Sequence, residues 1–271
     1  MTAEGYHECF VAAAPVEGEK RVVSWIREGL AGGELVIRIE PTGEDGGFVE
    51  LCERHGVGAR SAIEDGRLVV HSPEDLYLID GRFDPERRAA RDAAWIERSV
   101  AAGFSGVRVS GDARWPSELA PSSAQLLSHE TSVETLARTY PLRVLCLFDR
   151  AHADTSLARL VRTHPQAISD PLVRIRTHRG RVVVTGELDI SNVELLGSVL
   201  RASSLAQGDV TVDLSATTFM DVRGIAELVG FARRRDFGQR VVVLDPPPSF
   251  RMCDGALELD DLEVCTSSWP A

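Results

Sequence analysis

Lys20 is the chain's only lysine, and that bears at once on phosphate chemistry. A loop that cradles nucleotide phosphates needs GxxxxGK[ST]: backbone N–H groups hold the phosphates, lysine reaches the outer ones and the hydroxyl binds magnesium. Here the setting is Gly18-Glu19-Lys20-Arg21, with an acid before the lysine and no hydroxyl after it. The stretch Gly43-Glu44-Asp45-Gly46-Gly47 is acidic, would repel phosphate and reads as a turn. Neither GxSxG nor HExxH occurs. For metal, His7-x-Cys9 would place two zinc ligands on one face of a strand by the period of two. No second close pair accompanies it, so Cys146 and His164 would have to complete the set through folding. Core packing, or a pocket without metal, is the preferred reading, and no metal or cofactor is expected. The five cysteines (Cys9, Cys52, Cys146, Cys253, Cys265) are dispersed, odd in number and without CxxC, as buried free thiols in a reducing cytoplasm would be.

The 271 residues, 44% apolar and 26% charged, suffice for two ordinary cores. A net charge of −11 argues against a nucleic-acid partner, because phosphate binding needs a clustered excess of Lys and Arg. Glu4, His7 and Glu8 precede only a short apolar run, and no stretch approaches the length of a membrane span. A cytoplasmic protein is expected, with neither signal peptide nor membrane contact.

The elements that must position these residues alternate between β-branched runs and helical periodicity. Strands are expected at Cys9–Val11, Leu35–Ile39, Leu68–Val70, Val107–Val109 and Arg143–Phe148. Between them, helices run from Val22 to Leu30 (stopped by Gly32-Gly33), over Phe48–Arg54, from Asp84-Pro85-Glu86 onwards, and over Gln125–Thr139. Ala90, Ala94, Trp95 and Val100 form the expected apolar face of the third. Strands joined by helical crossovers imply a mostly parallel sheet covered on both faces. After the short linker Ser169-Asp170-Pro171 the rhythm changes. Val173–Arg176 and Arg181–Thr185 read as a hairpin about His178-Arg179-Gly180. A helix through Leu200, a strand at Val210–Leu214, a helix from Gly224 to Arg235, a strand at Val241–Leu244 and a last helical turn at Ser249–Cys253 follow.

Two resemblances then become specific. Val182-Val183-Val184-Thr185-Gly186-Glu187-Leu188-Asp189, Val210-Thr211-Val212-Asp213-Leu214-Ser215 and Phe219-Met220-Asp221-Val222-Arg223-Gly224-Ile225 resemble, in order and spacing, the GELD and DLSxxxFxDxxG signatures of the STAS family. The resemblance implies a smaller α/β domain with a mixed sheet over residues 172–271. It also implies an anti-sigma factor antagonist type of output that binds an ATPase-fold anti-sigma kinase or another regulatory protein. Its partner-facing residues would be Asp189, Ser215, Asp221, Val222, Arg223 and Gly224. The family's switching members carry D-S-S-G, with phosphate on the first serine. Val222 stands there and has no hydroxyl, so that switch is absent. Ser215, Thr217 and Thr218 read as ordinary polar residues at a strand end.

The other resemblance covers residues 1–168. His7-x-Cys9, Tyr77-Leu78-Ile79-Asp80-Gly81-Arg82-Phe83-Asp84-Pro85-Glu86-Arg87, Gly106–Asp112 with Trp115, Glu130, Leu145–Arg150 and Thr163-His164-Pro165 are similar to the MEDS sensory family. Departures fall at Asp112, where the pattern has Glu, and at Phe148, where Tyr is common. The resemblance implies a RecA/KaiC-like, mostly parallel α/β sheet that has lost its phosphate loop and senses a small molecule. His7, Cys9, Trp115, Glu130, Cys146, Asp149, Arg150 and His164 are the candidate ligand-binding residues. They are expected at strand ends, where α/β sheets place ligand sites, with Trp115 and Phe148 covering the ligand's apolar side. The chain is thus expected to be a non-enzymatic signalling regulator. The alternatives are a scaffold subunit that self-associates into a larger STAS assembly and, less favoured, a nucleotide-binding enzyme.

Overall fold

The β-branched runs of the first half become five strands of one parallel sheet. They are β1 (Tyr6–Ala12), β2 (Leu35–Ile39), β3 (Leu68–His71), β6 (Val107–Asp112) and β7 (Leu142–Asp149). A short pair, β4 (Leu78–Ile79) and β5 (Arg82–Phe83), stands apart from them. The five are ordered β1-β7-β6-β2-β3, every neighbouring pair parallel. The computed structural model describes residues 5–40, 46–112, 115, 119, 121–149, 167–178, 180–201, 205, 208–236, 238–253 and 259–266. The chain divides into two units, 1–153 and 154–271.

Because parallel strands are covered on both faces, their side chains sort by alternation into two cores. Phe10, Ala12, Val36, Leu145 and Leu147 pack with α1 (Pro15–Ala31), α2 (Gly46–Arg54) and α3 (Ala59–Glu64). Leu35, Ile37, Val107, Leu142 and Val144 pack with α5 (Pro85–Ala101) and α6 (Ser123–Thr139). Helix starts follow their caps. Asp84 accepts from the N–H groups of Glu86 and Arg87, and Ser122 forms a reciprocal box with Gln125.

The face expected for α5 holds only in part: Trp95 packs into the core, but the rest is rotated. Ala90 is exposed and Val100 is 42% exposed, while Arg88, Ile96 and Ser99 point inward. Hydropathy assigns an arginine to the surface. Arg88 escapes that rule because Asp92 pairs with it at 2.6 Å, the Leu76 carbonyl accepts from it and the Tyr77 ring lies 4.9 Å away.

Several short elements escaped the periodicity: α3, α4 (Pro73–Tyr77) and the β4–β5 hairpin. The hairpin turns on Asp80-Gly81, both at positive φ (53° and 72°), the geometry of a two-residue type I′ turn.

The second unit has a mixed sheet. β8 (Ala167–Ser169), β9 (Val173–His178) and β10 (Arg181–Leu188) pair antiparallel; β10, β11 (Val210–Met220), β12 (Val241–Leu244) and β13 (Glu263–Cys265) pair parallel. Its helices are α7 (Val193–Leu200), α8 (Val222–Arg233) and α9 (Pro248–Met252). The segment read as a linker is built into this sheet. Ser169 ends β8, and the Asp170 carboxylate accepts from the N–H groups of Leu172 and Val173 at 2.8 Å.

Gly186, the glycine of the GELD stretch, sits at φ 97°, and a Cβ there would collide with the Leu172 carbonyl, which accepts from Glu187 N–H at 2.9 Å. Gly186→Ala should therefore cost about 3 kcal/mol of unfolding free energy. Urea unfolding measures this, and a wild-type midpoint would contradict the close approach.

Candidate functional site

Alternation along β1 directs His7 and Cys9 to the face that α5 and α6 cover, and Cys146 of β7 lies directly across from Cys9. From α6, His129, Glu130 and Glu134 are all buried; the spacing of four puts Glu130 and Glu134 on one inward stripe, with His129 on the flank beside it. The result is a compact polar cluster. His7 Nε2 lies 3.4 Å from Cys146 Sγ and 3.6 Å from Glu130 Oε2, and His7 Nδ1 lies 3.8 Å from Glu134 Oε2. It borders a cavity of about 60 Å³ that His7, Glu130 and Cys146 share with Tyr77, Trp115 and His129. Trp115 stacks on Tyr77 with ring centres 4.2 Å apart, and the edge of His129 meets it at 5.5 Å. The hairpin supplies the wall beyond: Phe83 lies 5.2 Å from Trp115, and the Phe83 carbonyl accepts from Gln125 of α6.

Burial governs the electrostatics. It pushes the Glu130 carboxyl up to about 8, with the charge of Glu134 adding to it. Burial likewise raises Glu134 to about 7, opposed by Arg138, which donates to it at 3.0 Å. The Cys9 and Cys146 thiols are driven well above the ordinary range, by burial first and by Glu130 second. Burial thus favours the neutral, hydrogen-bond-donating acid at Glu130, while Glu134 accepts from Arg138. The pocket can orient a small polar group against an aromatic wall.

The fold brings His7, Cys9, Trp115, Glu130 and Cys146 together. Arg150 and His164 lie outside the described residues, as does the Asp149 side chain. The expectation that these groups cluster at strand ends is corrected. His7 is the second residue of β1 and Cys146 the fifth of β7, so the cluster lies under the sheet. Phe148 lines a different cavity, of about 550 Å³, at the C-terminal ends of the strands with Glu19, Arg38, Glu40 and Asp112. At its rim the N–H groups of Ala13 and Ala14, where a phosphate loop would present its donors, are given to the chain's own Glu17 carboxylate at 2.8 and 3.2 Å. Sequence reasoning missed Glu134, Tyr77 and His129. The spacing of four from Glu130 to Glu134 was the available signal for the first.

In the second unit, Asp221 caps α8 by accepting from Arg223 and Gly224 N–H at 2.9 Å, and its own N–H donates to Leu188 at 3.0 Å. That bond joins the helix start to the Asp189 turn, where Asp189 accepts from Ser191 and is held below the usual carboxylate range by those bonds. Asp189, Asp221, Val222 and Arg223 thus share one end. Gly224 is buried beneath them, where a Cβ would press on Leu188 and Met220. Ser215 does not join them. β11 continues to Met220, so Ser215 sits in mid-strand, roughly 20 Å along the chain from Asp221. Thr217 is buried and donates to the Val184 carbonyl, and Thr218 donates to that of Gly186. Exposed apolar residues accompany the shared end: Ile190 (61%), Phe219 (42%) and Val222 (51%).

A family model described as MEDS, the methanogen/methylotroph DcmR sensory domain, matches residues 6–165. A second, described as Mlab, STAS domain, matches residues 172–263. No curated protein matches the chain.

Glu130 and Glu134 both bind protons more tightly folded than unfolded, so their contribution to stability is complete below about 4.5 and is lost as pH rises through about 7 to 8. In buffer with EDTA, unfolding free energy should fall across that window, and Glu130→Gln should flatten the fall. Chemical denaturation at stepped pH reads it; a wild-type stability that rises from pH 5 to 8 would contradict it.

Proposed function

The chain belongs to the MEDS family, and from that premise we propose that the pocket under its first sheet is the input of a regulator whose output is anti-sigma antagonist-like binding by the second unit. A sensory MEDS domain followed by a STAS domain makes the protein a signalling regulator, and STAS domains engage partner proteins. The finer reading takes the partner to be an ATPase-fold anti-sigma kinase or a related regulatory protein. The observation that carries it is the joined surface at Asp189, Asp221, Val222 and Arg223. A capped helix start there presents a valine, half exposed, where switching antagonists carry a serine.

That exchange changes the mode of control. Phosphate at a helix start would add nearly two charges to the contact. With Val222 there, control has to come from elsewhere in the chain, and the sensory unit is the natural source. The reading also treats the protein as non-enzymatic. Glu17 already holds the N–H groups that a phosphate would need, and Lys20 is exposed on α1. No helix among the described residues is long and apolar enough to cross a membrane. The five free cysteines support a reducing, cytoplasmic setting.

Calorimetric titration against the ATPase-fold anti-sigma kinases of the same genome tests the output. One of them should bind, and Val222→Asp should weaken it at least about tenfold, close to 1.4 kcal/mol. Incubation of the pair with ATP should leave the STAS domain without phosphate by mass spectrometry. Absence of binding to every such kinase would overturn the antagonist reading. Phosphate on Ser215 that alters binding would overturn the switchless one. Magnesium-dependent ATP hydrolysis by the chain alone, abolished by Lys20→Ala, would overturn the non-enzymatic one.

A further inference from the structure

We propose that His7, Glu130 and Cys146 form a zinc-class metal site beside the cavity of the first unit, with its fourth coordination position open towards the aromatic wall. The proposal rests on the reading of this cavity as the input site, and it gives that input a chemistry. The three ligand atoms, one nitrogen, one sulfur and one oxygen, come from β1, β7 and α6 and lie within 4.8 Å of one another. Zinc holds imidazole nitrogen at about 2.0 Å, thiolate at about 2.3 Å and carboxylate oxygen at about 2.1 Å, in a tetrahedron. Those bond lengths put neighbouring ligand atoms about 3.4–3.6 Å apart. The two edges that meet at His7 Nε2, 3.4 Å to Cys146 Sγ and 3.6 Å to Glu130 Oε2, already have that length. The remaining edge, between Cys146 and Glu130, is no longer than 4.8 Å.

The surroundings fit as well. Metal-bound imidazoles usually donate their second nitrogen to a carboxylate, which fixes the tautomer. His7 Nδ1 faces Glu134 Oε2 at 3.8 Å, and Arg138 steadies that carboxylate from its other oxygen. A mixed N, S, O set favours zinc-like ions over magnesium or calcium, which take oxygen alone. Two anionic ligands around one divalent cation leave the buried cluster neutral, which removes the cost of isolated buried charge. All three ligands line the cavity whereas Cys9 does not, so the fourth position falls to a small exogenous donor within reach of Tyr77 and Trp115. An open zinc position binds thiols, carboxylates and other small Lewis bases, and that is the ligand class assigned to this input.

The test uses the full chain, stripped with a chelator and then titrated with zinc against a chromophoric competitor, and in parallel with cobalt(II). Wild type should take up one equivalent of zinc, and cobalt should give a thiolate charge-transfer band with tetrahedral visible bands. Cys146→Ser should abolish the charge-transfer band and weaken zinc more than about 100-fold, while Cys9→Ser keeps both. Circular dichroism verifies folding. Should Cys146→Ser not fold, Glu130→Gln gives the reading: the charge-transfer band stays, the visible bands change and zinc weakens. Absence of stoichiometric zinc in wild type, or binding indifferent to Cys146→Ser and Glu130→Gln alike, overturns the site. The two readings fail separately. Zinc bound as described without effect on partner affinity leaves the site and removes the sensor. A partner response to a small molecule in metal-free protein leaves the sensor and removes the metal.

Discussion

Parallel strands that are covered on both faces make every buried polar side chain costly unless it is partnered, and the first unit is arranged around that constraint. β1 and β7 lie side by side under helices on each face, so their residues have to be apolar or partnered. His7 has no solvent exposure, and α6 faces it with Glu130 and Glu134 on consecutive turns, as α1 faces the buried Glu8 with Arg21. Arg88 and Asp92 repeat the device on α5 and place a paired charge beside the same cavity. The β4–β5 hairpin then closes the aromatic side through Tyr77 and Phe83. One buried imidazole therefore dictates what three surrounding elements must carry.

In the second unit the governing feature is close backbone approach rather than charge. Gly186 lets β10 pass the Leu172 carbonyl, and Gly224 lets α8 settle onto Leu188 and Met220. With these two contacts made, the Leu188 carbonyl accepts from Asp221 N–H and the two signature turns come to one end. The presentation of Val222 follows from that packing: Asp221 consumes the first helical N–H groups, and the next side chain is left pointing outward. Binding energy at a protein interface comes from a few desolvated apolar anchors, and under the proposed output the exposed Ile190, Phe219 and Val222 would supply them where a phosphate would supply charge.

Much of the architecture was readable because it rests on local rules. β2 and β12 fall on the expected residues, since an unbroken β-branched run between turn residues has only one buried use. Asp84 announced its helix through capping chemistry, whereas the helix capped by Asp221 starts two residues before the expected Gly224. What depends on partners distant in sequence was not readable. The phase of α5 is set by Arg88 meeting Asp92 and Leu76, which hydropathy scores as surface. Ser215 looked like a strand end because Ala216, Thr217 and Thr218 interrupt the apolar pattern, yet Ala216 and Thr217 continue the pairing with β10 and the Thr217 and Thr218 hydroxyls donate to its carbonyls. The family resemblance groups His7, Glu130 and Cys146 in one pocket, but their juxtaposition depends on the β1–β7 register and the rotation of α6. The Asp80-Gly81 turn was legible in principle; its flanking strands are only two residues long.

The central claim is that the polar cluster exists to bind something, not to hold the sheet together. Buried ion pairs exchanged together for apolar residues of similar volume often leave stability unchanged or raise it, so a tolerated exchange shows that the cluster is not needed to hold the sheet. The direct measurement is the urea unfolding free energy of His7→Leu combined with Glu130→Met and Cys146→Val, set against wild type in EDTA at pH 7.5. A triple variant equal to or more stable than wild type, by up to about 3 kcal/mol, is the result this account predicts. A triple variant destabilised by more than about 2 kcal/mol would make the cluster part of the scaffold and contradict it.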